Sequence, residues 1–259
     1  MQRIDVAMEA AKAAGAVIRD GGAQPINVQE KDSSRTSIVT ATDLHSQQEI
    51  IKVIRGACPN DLIVGEEGSE GDGAASSRWY VDPLDGTTNY AHGLPFYCVS
   101  IAYCDADGIG IGVVYDPLRQ EMFVARRRHG ATLNGRPIAI SARNELRTSV
   151  LATQIQTDDL PRLDRYTSRL RRFLGVARAV RSFGAPALAL AYVASGRLDV
   201  FFEDLMSPWD TLAGTLLVEE AGGRVTDFAG APRPHDGKTD ILASNGHLHG
   251  DIVSRLSGR

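Results

Sequence analysis

The sequence predicts a layered α/β architecture of mixed α+β character, and three observations predict it. Apolar residues recur at helical spacing at the start of the chain and again in its last third. Between them lies a stretch of alternating apolar and small or polar residues, cut by tight-turn dipeptides. Short apolar runs end directly in acidic residues, and the ends of strands in an α/β layer are where ligand sites gather.

In chain order, Ile4, Met8, Ala11, Ala14 and Ile18 form the apolar stripe of a first helix, which Gly21-Gly22 stops. The polar, irregular run at residues 31–37 reads as a mobile loop. Thr42 then precedes a second helical pattern through Ile50, Ile51 and Ile54. Leu62-Ile63-Val64 and Trp79-Tyr80-Val81 are short strands flanking a Gly/Ser/Ala-rich loop. Val99, Ile101 and Tyr103, then Ile111, Val113 and Tyr115, then Met122 and Val124 alternate as an antiparallel meander. Asp107-Gly108, Asp116-Pro117 and Asn134-Gly135 supply its turns. Past about Thr148 come a strand near Val150, helices over 161–174 and 187–194, and a strand over 198–202. A last helix has both ends marked, with Ser207 as N-cap, Pro208 at the first helical position and Gly222-Gly223 at the stop. The halves meet near residues 140–150, so residues 1–145 and 146–259 are expected to form two parts of one compact unit.

The 259 residues are long enough for a substantial core, and 43% hydrophobic with 23% charged residues is ordinary globular usage. A net charge of -4 argues against a global attraction to nucleic acid or anionic membrane. Three cysteines, Cys58, Cys98 and Cys104, without CxxC spacing fit a reducing compartment and no disulfide framework. Charges interrupt the N-terminal apolar positions, so the first twenty or so residues read as neither signal peptide nor membrane span. A cytoplasmic protein is expected.

The strongest chemical feature is Asp82-Pro83-Leu84-Asp85-Gly86-Thr87-Thr88-Asn89, directly after a strand. Two carboxylates three residues apart at a strand end can converge on a hard divalent cation such as Mg2+, which takes oxygen ligands and keeps positions for water and phosphate. Gly86 allows close approach of the backbone, and the amides of Gly86 and Thr87 can face a phosphate. Glu66-Glu67 follow the preceding strand and gain meaning from that company. Asp210 in Ser207-Pro208-Trp209-Asp210 fits a capping box and metal ligation alike, since a carboxylate has two oxygens. Thr42-Asp43 and Lys31 have equally ordinary readings as a helix start and a loop lysine. The histidines lack a compact ligand pattern; His247 and His249 read as surface residues of the tail. Arg126-Arg127-Arg128-His129 is a basic cluster near a turn, with the alternatives of solvated edge or anionic docking point.

In order and spacing these segments resemble the inositol monophosphatase family. The resemblance rests on Gly65-Glu66-Glu67, the 82–89 string, and Trp209-Asp210 with Ala213-Gly214. It extends to Lys31, Val39-Thr40-Ala41-Thr42-Asp43, Gly112-Val113-Val114-Tyr115, Gly130-Ala131 and Asn134-Gly135, so it spans nearly the whole chain. It implies a five-layer αβαβα sugar-phosphatase fold and two or three Mg2+ ions. By the same analogy Glu67, Asp82 and the Leu84 carbonyl hold one ion, and Asp82, Asp85 and Asp210 a second. Glu67 also reaches a weaker third. Thr87, oriented by Asp43, positions the attacking metal-activated water. Asp85, Gly86, Thr87, Gly184, Ala185 and Glu203 face the substrate. A lithium-sensitive homodimer is likewise implied.

The segment Gly184-Ala185-Pro186 departs from the family, which more often has Ser or Thr after the glycine. Ala185 lacks that hydroxyl and Pro186 lacks a backbone donor, leaving fewer polar groups for inositol. The expected reaction is hydrolysis of inositol monophosphate or a related polyol or sugar phosphate. The alternatives within the superfamily are histidinol phosphate, 3′-phosphonucleotides and fructose 1,6-bisphosphate. A different class is an RNA- or transcription-associated interaction protein on the same fold.

Overall fold

The computed structural model describes residues 1–22, 28–31, 34–73, 75–154, 157 and 159–257. Among these the chain forms two large sheets and three layers of helix. The first sheet has the order β10-β9-β8-β7-β6-β5-β3-β4. Its strands are β3 (Leu62–Gly65), β4 (Gly68–Glu70), β5 (Arg78–Asp85), β6 (Cys98–Asp105), β7 (Gly108–Asp116), β8 (Glu121–Arg126), β9 (Ala131–Leu133) and β10 (Arg136–Pro137). The pair β3–β5 is parallel and the other pairings are antiparallel. The expected meander is β6–β7–β8, and Asn134 (φ 49°) and Gly135 (φ 78°) make the left-handed turn between β9 and β10.

Two helices, α1 (Arg3–Gly21) and α2 (Ala41–Ala57), cover one face of this sheet. Their buried residues, among them Val6, Ala10, Ala14, Ile18, Ile50 and Ile54, pack on Trp79, Val81, Val99, Ile101 and Val113. On the other face lie α5 (Pro186–Ala194) and α6 (Pro208–Glu220). Both are apolar nearly all round because they are sandwiched. Their outer sides meet the second sheet, of order β12-β11-β13-β15-β14. Its strands are β11 (Val150–Thr153), β12 (Ala179–Ser182), β13 (Val200–Met206), β14 (Arg224–Thr226) and β15 (Thr239–Ser244). The far face of that sheet is closed by Phe173, at the end of α4 (Leu160–Arg171), and by Leu248, Ile252 and Leu256 of α7 (His249–Ser257). The layer order is therefore αβαβα.

Several expectations need correction. The stretch at 31–37 belongs to a hairpin of β1 (Val28–Lys31) and β2 (Ser34–Thr40), not to a loop; Asp32 and Ser33 lie outside the described residues. The described β1 side chains are mostly exposed, so no apolar alternation marked it. The Gly-rich stretch contains the edge strand β4, paired to β3 by backbone alone. His249 is buried, held between Thr226 Oγ1 (2.9 Å) and Ser244 Oγ (2.8 Å), while His247 is exposed. No helix of the described residues is long and apolar enough to cross a membrane.

Candidate active site

The site begins with an interruption in β5. This strand pairs with β6 in register up to Asp82↔Ser100, then shifts before Asp85↔Cys98. Pro83 stands inside the shift and has no N–H to give the ladder. The bulge re-aims the chain and presents both carboxylates at the strand end. Asp82 Oδ1 accepts from the Leu84 amide (3.0 Å), and Ser46 Oγ of α2 donates to the Pro83 carbonyl (2.8 Å), so the bulge is held from within and from the helix layer. Gly86 follows with φ 96°. A Cβ there would meet the Phe96 carbonyl, Ala185 and Tyr97, so the turn into the short helix α3 (Thr87–Ala91) requires glycine.

Carboxylate oxygens of Glu66, Asp82 and Asp210 lie within 4.8 Å of one another. This revises the expectation for Glu67. The Glu66 amide continues the β3–β5 pairing by donating to the Val81 carbonyl (3.0 Å), so its side chain follows strand alternation. Gly65 and Glu67 face the other way, toward α2. A Cβ on Gly65 would collide with Gln47, and the Glu67 amide donates to Gln47 Oε1 (3.1 Å). The Glu67 carboxylate is instead paired with Lys31 Nζ, which also donates to Glu66 Oε1 (2.8 Å). Lys31 is thus a built part of the site's edge.

The two readings of each capping residue coexist. Asp210 Oδ2 accepts from the Ser207 amide (3.0 Å) at the start of α6, leaving the other oxygen for the cluster. Asp43 Oδ2 accepts from Thr40 N (2.9 Å) and Thr40 Oγ1 (2.5 Å), closing a capping box on α2. Its Oδ1 accepts from Thr87 Oγ1 at 2.8 Å. Thr87 Oγ1 also lies 3.1 Å from the Leu84 carbonyl. Asp85 lines the same cleft but lies outside the three-carboxylate group. Its Oδ2 collects Ala187 N (2.8 Å), Leu188 N (3.3 Å) and Cys98 Sγ (3.4 Å), which seats it on the start of α5.

The electrostatics are those of crowded acids. Burial first, then Glu66, Asp85 and Asp210, push the Asp82 carboxyl well above the usual range. Burial and Asp210 do the same to Asp85, and burial and Glu66 raise Asp210. Asp43 and Glu67 are raised chiefly by burial, against the hydrogen bonds they accept. Burial alone would lower Lys31, but Glu66 and Glu67 outweigh it and raise it.

The acids open into a cleft of about 470 Å³. Gly86, Thr87, Gly184, Pro186 and Glu203 line it. Ala185 does not: it is buried against Gly86 and acts in packing, because its Cβ fills the space next to that glycine. Pro186 begins α5, and Asp85 takes the next two amides, so this wall offers the cleft no free N–H from those three residues. Glu203 is fixed by Thr153 Oγ1 (3.1 Å) and the Gln154 amide (2.8 Å), and burial pushes it up to about 7. It too sits beside an irregularity, between Glu203 and Met206 in β13, where Leu205 has φ 55°. Sequence reasoning missed three further lining residues: Arg162 and Tyr166 of α4, and Lys238. Their only sequence signal is helical spacing or a turn, which carries no chemistry by itself.

The comparisons with known proteins agree with this geometry. The family model described as "Inositol monophosphatase family" matches residues 1–258. The chain is 43% identical over 235 residues to the Nus factor SuhB of Pseudomonas aeruginosa, covering 88% of this chain and 86% of that protein. It is 38% identical over 262 residues to inositol monophosphatase 3 of Solanum lycopersicum, covering 99% and 97%. The crystal structure of the extragenic suppressor protein suhB from Bartonella henselae superposes with a TM-score of 0.91 at 36% identity, covering 97% of each chain. With the layer order, the acidic cleft and these matches in hand, the chain belongs to the inositol monophosphatase family.

Proposed function

We propose that this protein is a magnesium-dependent phosphomonoesterase that converts inositol monophosphate, or a related polyol or sugar phosphate, to the alcohol and inorganic phosphate. The observation that carries the reading is the convergence of Glu66, Asp82 and Asp210 beside the Thr87–Asp43 pair in one small cleft. The donor set fits a hard divalent cation: it is made of carboxylate oxygens, burial first and then crowding push two of the acids toward protonation, and a cation relieves the repulsion. Glu66, Asp82 and Asp210 would hold it, with Asp85 at the cleft wall. When bound, Mg2+ supplies positive charge for the phosphoryl oxygens and increases the acidity of water.

The chain's own groups divide the remaining work. Thr87 Oγ1 has one proton, and the shorter of its two contacts commits it to Asp43. Its lone pairs are then free to accept from a water in the cleft and orient it. Asp43 fixes that direction because its other oxygen is locked into the α2 cap. Glu203, with burial holding it near neutrality, bonds substrate hydroxyls as acceptor or donor. The volume suits a small ester and not a folded macromolecule.

Phosphate release should be followed with magnesium on inositol 1-phosphate, glycerol 2-phosphate, fructose 1,6-bisphosphate, histidinol phosphate and 3′-phosphoadenosine 5′-phosphate. The expected result is turnover led by a polyol or sugar monophosphate and a loss of at least about a hundredfold on Asp82→Asn. Preference for histidinol phosphate or the 3′-phosphonucleotide would move the assignment to another branch.

A second reading is favoured by the relative named a Nus factor. The turn carrying Arg126, Arg128 and His129 is rigidly presented: the Glu220 carboxylate accepts the amides of Arg128 (2.6 Å), His129 (3.1 Å) and Gly130 (2.7 Å). Arg127 is tied to Asp105, whereas Arg126 and Arg128 are exposed. A docking role predicts that Arg126→Ala with Arg128→Ala lowers partner recovery and leaves phosphate release unchanged. Unchanged recovery removes the structural motive for this reading.

A further inference from the structure

The cleft holds an excess of acid over its described cations. Glu66, Asp82, Asp85, Asp159, Glu203 and Asp210 line it, against Arg162 and Lys238. Arg162 is already committed, through Nε to Asp204 Oδ1 (2.9 Å) and Nη2 to the Asp204 carbonyl (2.9 Å), with Glu203 Oε1 at 3.5 Å. Lys31 at the edge is committed to Glu66 and Glu67. Lys238 forms no hydrogen bond or ion pair with the described residues, although its charge acts on Asp210.

The loop that carries Lys238 is clamped on both sides. Before it, Asp236 accepts from Tyr80 Oη and from Arg78 Nη1 (3.5 Å), which ties the loop to β5. Beyond it, Arg233 donates to Thr239 Oγ1 (2.8 Å) and the Asp240 carbonyl (2.7 Å), and reaches Thr211 Oγ1 (3.3 Å) on α6. Gly237, at φ 77°, makes the turn between the clamps. A lysine backbone fixed this way at the rim, with no partner for its ammonium among the described residues, has the form of an anion receptor.

We infer that Lys238 is a substrate-positioning residue whose ammonium binds the anionic phosphate of the ester as it enters the acidic cleft. This rests on the phosphomonoesterase reading above. The physical need is plain: a phosphate dianion approaching a carboxylate-lined cleft gains from every uncommitted positive charge at its mouth. Because Lys238 is exposed, its effect is on capture and binding, with chemistry left to the groups deeper in the cleft.

The test compares the magnesium-loaded wild type with Lys238→Gln and Lys238→Arg. Three quantities are read: KM and kcat for inositol 1-phosphate, the affinity for inorganic phosphate by calorimetry, and the affinity for Mg2+ alone. Lys238→Gln should raise KM and weaken phosphate binding about 3- to 10-fold, with kcat little changed and a salt dependence shallower than that of the wild type. Mg2+ affinity should hold or tighten, because a competing cation has been removed. Lys238→Arg should recover most of the phosphate affinity. A merely structural role would weaken Mg2+ and phosphate together, and would not be rescued by arginine. Wild-type phosphate affinity in Lys238→Gln, or equal impairment of both variants, overturns the inference. If the wild type hydrolyses no ester, the phosphomonoesterase reading fails, and the calorimetric comparison still decides whether Lys238 binds phosphate.

Discussion

Glu66 and Glu67 are adjacent, equally acidic and placed after the same apolar strand, so nothing in their identity separates them. Strand alternation does: one faces the carboxylate group and its neighbour faces α2 and Lys31. Glu66→Gln should therefore weaken Mg2+ binding by more than about tenfold, whereas Glu67→Gln should cost clearly less. Titration of Mg2+ into each variant checks this, and a reversed order would return the ligand role to Glu67. Asp82, Asp210 and the Thr87–Asp43 pair were legible because their spacing recurs in a known family. Arg162, Tyr166 and Lys238 were not, because each reaches the cleft from an element whose placement depends on the second sheet. Ala185 was misread for a similar reason: its position beside Gly184 says nothing of the Gly86 backbone that packs against it.

Helices with marked ends were readable as elements. The N-cap, proline and double glycine of α6 match its span, and the mostly apolar faces of α5 and α6 follow from their central layer. Strands joined mainly by backbone were harder. The described side chains of β1 are mostly exposed and those of β4 are exposed, so sequence periodicity had nothing to report there. The two irregularities, between Asp82 and Asp85 and between Glu203 and Met206, were also hidden apart from Pro83, yet they sit one in each sheet where the chain delivers its acids. The seam between sheet and helix layer offers a direct test. A Cβ on Gly112 of β7 would stand 2.5 Å from the Ala213 carbonyl and 3.1 Å from its Cα in α6, and backbone cannot step aside as a flexible side chain can. Gly112→Ala should destabilise the fold by about 1–3 kcal/mol in denaturant unfolding. An unchanged midpoint would mean that the layers are not in such close contact.

At the scale of the molecule, five layers share three apolar clusters, and the cleft lies where the ends of strands from both sheets face each other. The order of helices and strands in the first 145 residues was largely readable. The later half was less so, because β14, β15 and α7 close the second sheet through contacts between distant segments. His249 belongs to that closure. Burial first, then Arg224, lowers its pKa to about 4, from an ordinary value near 6.5. The folded state thus keeps the ring neutral while the unfolded chain protonates it. Stability from this site is present above about pH 6.5 and is lost as pH falls toward 4. Thermal unfolding across that window should show a steeper acid loss for the wild type than for His249→Gln; identical slopes would contradict it. Buried, crowded carboxylates that hold a divalent cation carry an energetic sign, because without the cation they repel one another. Thermal unfolding of the wild type and Asp82→Asn, each with and without Mg2+, tests it most directly. Mg2+ should raise the wild-type midpoint saturably, and Asp82→Asn should be the more stable of the two without metal and gain little from adding it. An Asp82→Asn protein that responds to Mg2+ as the wild type does would contradict a metal-holding role for these acids.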